Sequence, residues 1–315
     1  MQKTILNIAI LFLTITGFSQ SGQIINKSNS DITDNDIWAI SVDNDGTKWL
    51  GTSKFGLIKY DNQKFINLNK ENSKINGDFV SPIYTDSKGN IWLSFSKPDK
   101  RLAKFDGNEW TIFSENEVPN SSISVIAIVE DNEGSIFFGG GNGVIKYDGE
   151  NWTKLDLPKK GITVRAMDIS KDGEIAIGHN SGLLIRKNGK WKSYSDDNSK
   201  LQLSVVRAVK YIDKKLYIGY GGGRGNGGFS ILKGKKWKHF NKSNSKVPNH
   251  MVRVIEVDKN GTIWMATNDG LIKILDGKIK PIFFRNGAYK NVIMDIAIEN
   301  EIVWVATNFG LIKIE

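Results

Sequence analysis

The sequence predicts an all-β chain folded as a seven-bladed β-propeller, each blade a four-stranded antiparallel sheet. Three observations carry that prediction. The stretch Asp258 to Ile274, DKNGTIWMATNDGLIKI, reads as turn, alternating strand, turn and strand. Variants of it recur: aligned on Trp264, the equivalents are Trp49, Trp92, Phe137, Ala176, Tyr217 and Trp304, at intervals of 39 to 47 residues. A repeat of ~42 residues with four strand-like segments is the signature of a propeller, whose copies bury both sheet faces only by stacking around a ring. No segment of ten or more residues keeps a clean helical period, and 32 glycines against 6 prolines is a turn-rich balance.

Taken in order, residues 1–19 carry one early positive charge (Lys3), an apolar run from Ile5 to Ile15, and small residues Gly17 and Ser19 placed for cleavage before Gln20. This is the pattern of a secretory signal peptide, so residues 20–315 are expected to be an exported propeller, secreted or periplasmic, with no membrane span after cleavage. In the sixth copy the strands are expected at Val252 to Val257, Thr262 to Thr267, Leu271 to Leu275 and Lys278 to Ile282. Pro281 falls in the outermost strand, where a missing N–H costs no ladder bond. The outer strands begin with an aromatic anchor at Phe65, Trp110, Trp152, Trp191 and Trp237. The seventh copy stops at Glu315 after its third strand. Ile25 to Ser30 (INKSNS) matches Phe240 to Ser245 (FNKSNS), which follows the outer strand of copy five. Residues of about 21–25 are therefore expected to supply the missing strand and close the ring.

Cysteine is absent, which excludes a disulfide framework, a thiolate nucleophile and Cys-ligated zinc. The formal charge of +9 is unevenly spread: residues 20–155 hold 14 Lys and Arg against 19 Asp and Glu, net −5, whereas residues 156–315 hold 28 against 15, net +13. Most of these lysines read as a solvated surface; if the basic half of an exported protein has a polyanionic partner, an acidic glycan or membrane surface fits better than nucleic acid.

The stretch DNDGTKWLGTSKFGLIKYD at Asp43 to Asp61, with weaker forms from Asp86, Asp131 and Asp258, resembles the two-component regulator propeller repeats. The resemblance covers essentially all of the chain beyond the leader. It implies the propeller fold and a sensor-like role, since in that family such repeats form extracytoplasmic ligand-binding domains of hybrid histidine kinases, often for carbohydrate breakdown products.

Several stretches bear on chemistry. Asp43-Asn44-Asp45-Gly46 resembles the start of a calcium loop but lacks the bidentate Glu at the twelfth position, and the spacing is one residue too long for the Asp-box of sialidases, so a hairpin turn is expected and no metal. Gly221 to Gly228 is glycine-rich but opens no helix, so it reads as a rim loop rather than a phosphate cradle. His179 and His250 are placed by the repeat in loops opening on one face, where two histidines would serve a polysaccharide lyase. The most informative column is the second residue of the first strand: Trp38, Ser81, Ile126, Arg165, Arg207, Arg253 and Met294. Arginine occupies it in three consecutive copies, facing one mouth of the central channel. The expectation is a non-catalytic module binding a carbohydrate or other anionic exported ligand through Arg165, Arg207, Arg253, Trp38, His179 and His250, without cofactor. A glycan lyase and a scaffold for an envelope protein partner are the alternatives.

Overall fold

The computed structural model describes residues 22–315 except 70, 76, 97–100, 115, 120–123, 222–226 and 285–291. Residues 1–19, expected as a leader, and the middle of the glycine-rich loop therefore lie outside the described residues. The remainder forms seven four-stranded antiparallel sheets, with no helix long and apolar enough to cross a membrane. Strand alternation builds the blades: the second strand of each is buried on both faces, as in Lys48–Thr52 and Ile263–Thr267, while the outermost strands are half exposed. The sixth blade follows the expected frame at Val252–Val257, Ile263–Thr267, Gly270–Leu275 and Lys278–Ile282, with Pro281 in the outer strand.

The turn between the first and second strands explains the repeat motif. Asp43, Asp86 and Asp258 each accept the indole N–H of the tryptophan six residues on, Trp49, Trp92 and Trp264, at 2.8, 2.8 and 3.1 Å. Glu299 does the same for Trp304 at 2.7 Å. The other oxygen of Asp43 accepts the turn amides of Asp45 and Thr47 at 3.1 and 2.9 Å, so this carboxylate is spent on the hairpin. A buried indole N–H without a partner would be costly, which is why an acid precedes each of these four tryptophans. Among the described residues no group of three or more His, Cys, Asp or Glu is placed to hold a metal.

Blades pack closely because the second strand carries a small residue where its neighbour's first strand passes. A Cβ on Gly51 would lie 2.2 Å from the carbonyl oxygen of Val80 in the next blade. Seven apolar clusters result, most of them straddling two successive blades, such as Trp92 with Phe138 and Trp152.

The ring closes at the N-terminus. Gln23–Ile25 pairs antiparallel with Gly310–Ile314, completing the sheet of blade seven and burying Ile25. Two polar braces reinforce the seam. Lys48, 0% exposed, reaches from blade one to Glu299 of blade seven at 3.0 Å, over the Trp304 ring at 4.7 Å. Asp295 of blade seven accepts the Ile40 amide of blade one at 3.0 Å.

Candidate functional site

The innermost strands, Ile37–Val42, Phe79–Thr85, Val125–Glu130, Val164–Ile169, Val206–Ile212, Val252–Val257 and Ile293–Glu299, line the central channel. Each is irregular at the same place. Pairing with the second strand skips one extra residue between Ile37 and Ala39, and likewise between Val125 and Ala127, Val164 and Ala166, Val206 and Ala208, Val252 and Val254, and Ile293 and Asp295. In blade two the shift falls between Val80 and Ile83. A bulge leaves its extra residue out of the ladder and re-aims the side chain. The column singled out in the sequence is this bulged position, and Trp38, Ser81, Ile126, Arg165, Arg207, Arg253 and Met294 all line a cavity of about 830 Å³.

The bulge thus gathers Arg165, Arg207 and Arg253 at one mouth of the channel. None of the three takes part in an ion pair among the described residues. Arg253 Nε donates to Asn268 Oδ1 at 2.8 Å, whereas Nε of Arg165 and of Arg207 is buried with no partner. Burial and the adjacent Arg165 hold Arg207 below its ordinary pKa, and burial and Arg207 do the same to Arg253. Three partly buried cations repel one another, and an anion between them would relieve both the repulsion and the idle donors. Arg207 owes its course to a glycine: a Cβ on Gly221 would lie 2.0 Å from its Cδ. At the same column position in blade one, Trp38 is 38% exposed and packs edge-on against Phe79 with ring centroids 5.5 Å apart.

Farther along the inner strands the charges are committed to neighbouring blades. Lys210 Nζ meets Glu256 at 2.9 Å. Asp168 accepts the Tyr211 amide at 2.6 Å, and burial lifts its carboxyl to about 6 against the pull of Lys210. Ser41 and Thr85 share a hydrogen bond of 2.7 Å. The free inner edge of each first strand exposes backbone donors to the channel, and Asp168 and Asp295 satisfy two of them, the Tyr211 and Ile40 amides.

The histidines do not join the channel lining. His179 is the last residue of the strand Ile175–His179 rather than a loop residue, and it is 1% exposed. Its Nδ1 accepts the Ser181 amide at 3.1 Å, as Thr267 and Thr307 Oγ1 accept the amides of Asp269 and Phe309 at 3.0 and 3.1 Å. The imidazole therefore takes the turn-capping place that threonine holds in other blades, and burial pushes it down to about 4, neutral under ordinary conditions. His250 is exposed and lends its carbonyl to the Gly228 amide at 2.7 Å. Sequence reading missed Asn268 and Gly221 because each acts through its place beside an arginine of another strand.

The two component regulator propeller model matches residues 246–269. No curated protein matches the sequence. Among solved structures, a streptogramin B lyase superposes with TM-score 0.74 at 16% identity, over 94% of this chain and 97% of that one. The virginiamycin B lyase from Staphylococcus aureus gives 0.72 at 16%, over 93% and 98%. The extracellular domain of a putative hybrid two component system from B. thetaiotaomicron gives 0.72 at 16% identity, over 93% of this chain but 39% of that longer chain. At these identities the likeness is one of fold.

Proposed function

We propose that the protein is an exported, non-catalytic binding domain whose channel mouth takes a carbohydrate bearing carboxylate or sulfate groups. The single observation that supports this is the row Arg165, Arg207 and Arg253, presented by equivalent bulges and left without an ion pair among the described residues. Guanidinium groups bind such anions in bidentate fashion, and several adjacent ones select a ligand with more than one charge. Trp38 offers an apolar ring on which a sugar face stacks. A lyase needs a proton acceptor beside the anion; neither His179 nor His250 lines the channel, and Lys210, Glu256 and Asp168, which do, are engaged with neighbouring blades, which weighs the reading toward binding.

Calorimetry with trigalacturonate tests the proposal. A charge-assisted hydrogen bond contributes roughly 1.5–3 kcal/mol, so Arg207→Gln is expected to weaken binding roughly ten- to a hundred-fold with little change in melting temperature. Unsaturated products on long incubation would replace binding by turnover. A large loss of stability with unchanged affinity would make the arginine a structural brace.

A further inference from the structure

The outer wall of the molecule carries a charge pattern that the channel does not use. The outermost strands of blades four, five and six, Lys190–Tyr194, Lys236–Phe240 and Lys278–Ile282, begin Lys-Trp-Lys, Lys-Trp-Lys and Lys-Ile-Lys. Strand alternation turns the middle residue one way and its flanking lysines the other. Trp191, Trp237 and Ile279 are half-buried against the apolar clusters, and Trp191 is fixed further by donating to the Asp156 carbonyl at 3.1 Å. All six lysines are exposed, and none forms an ion pair among the described residues. Equivalent positions in blades one to three hold Lys64 and Ile66, Glu109 and Thr111, and Asn151 and Thr153, so the pattern belongs to one side only.

We infer that this lysine stripe is a docking track for a linear polyanionic polysaccharide, separate from the channel mouth and independent of what the mouth binds. Two arguments choose this occupant. A second copy would have to offer the opposite side, but net −5 over residues 20–155 cannot neutralise net +13 over residues 156–315. A flat bilayer meets a round wall along a line, whereas the stripe runs over three of the seven blades and bends with the ring, which a flexible chain follows. Lysines two apart on a strand stand about 7 Å from each other, close enough for successive charges along one chain to be engaged together.

The test uses the full chain, fluorescently labelled dextran sulfate and uncharged dextran of equal length, with anisotropy read at stepped salt. Binding to dextran sulfate alone is expected, with log Kd rising steeply with log salt as counterions are released. The variant K190Q/K192Q/K236Q/K238Q/K278Q/K280Q is expected to lose at least about tenfold in affinity and to flatten that slope, since six charge contacts are removed. Replacing the same six by arginine should retain both, which guards against a folding artefact. In an R165Q/R207Q/R253Q background, which silences the mouth, the effect of the six lysines on dextran sulfate binding should persist, and the six-glutamine variant should keep the parent's affinity for trigalacturonate, so failure of this proposal is distinguishable from failure of the mouth. Unchanged affinity in the six-glutamine variant, or equal binding of uncharged dextran, would overturn the inference. So would tighter binding to vesicles of phosphatidylglycerol and phosphatidylcholine, or lysine-dependent self-association in sedimentation.

Discussion

Arg207 and Gly221 show how one residue sets the geometry of another. The arginine side chain crosses the glycine backbone so closely that an added Cβ would fall 2.0 Å from Cδ and 2.4 Å from Nε. The glycine keeps an ordinary backbone φ, so alanine fits the chain conformation and the flexible arginine must give way. Gly221→Ala is therefore expected to mimic Arg207→Gln, lowering affinity for trigalacturonate by about tenfold, the loss of one charge-assisted bond, with a melting temperature within a few degrees of the parent. Calorimetry and a thermal melt on the same sample check it, and full-strength binding would show that the present course of Arg207 is not the one that holds the anion. His179 makes the complementary point: a residue type with many chemical uses is here a turn cap, because its place in the repeat is the place of a threonine.

At the level of elements, the N-terminal strand closes the ring as the INKSNS and FNKSNS match foretells. The two turns share their bonding: Asn26 and Asn241 each accept the amide and hydroxyl of the serine two residues on, and Asn29 and Asn244 each cap the amide three residues back. Burial of Ile25 alone is worth roughly 1.5–3 kcal/mol, and for a large domain each kcal/mol moves the melting temperature by about 2–4 °C. Deleting residues 21–30 is expected to lower it by at least roughly 3–12 °C from that side chain alone, and to promote association through the exposed edge of Gly310–Ile314. An unchanged melt with a monomeric profile in sedimentation would refute the closing role. The bulges belong to this scale too: six inner strands place their second residue outside the ladder, blade two places Ser81 and Pro82 there, and the arginine row is that register made visible.

Across the whole molecule, blades are joined by charge as well as by apolar packing. Asp168 ties blade four to five, Lys210 and Glu256 tie five to six, Lys259 and Glu301 tie six to seven, and Lys48 with Glu299 and Asp295 ties seven to one. Burial lifts Asp295 to about 7, partly offset by the amides of Ile40 and Ile296. A carboxyl raised in this way is held more tightly protonated in the folded chain than in the unfolded one. Its favourable contribution is complete below the unfolded value and is lost as pH rises through about 7. Asp168, lifted to about 6, titrates in the same direction. Asp295→Asn stays neutral at every pH and keeps one acceptor, so the melting temperature of the variant relative to the parent is expected to rise from about pH 5 to about pH 8, by an amount equivalent to a few kcal/mol at most. A difference independent of pH would show that Asp295 does not carry the buried charge.

The sequence by itself determined the architecture, because a repeat of apolar alternation, turn glycines and acid-paired tryptophans admits one way of burying its faces. It determined which strand is missing and what replaces it. It also marked the arginine column and the uneven charge of the two halves, since both are properties of position in a repeat. Tertiary structure alone decided that this column is a bulge whose side chains converge, that Arg165 and Arg207 keep buried donors without partners, and that His179 and His250 stay out of the channel lining. Those outcomes depend on how strands pair and pack, as where Val206 faces Tyr220 but Ala208 faces Gly219, and local propensity carries no information about which neighbour a polar atom will meet.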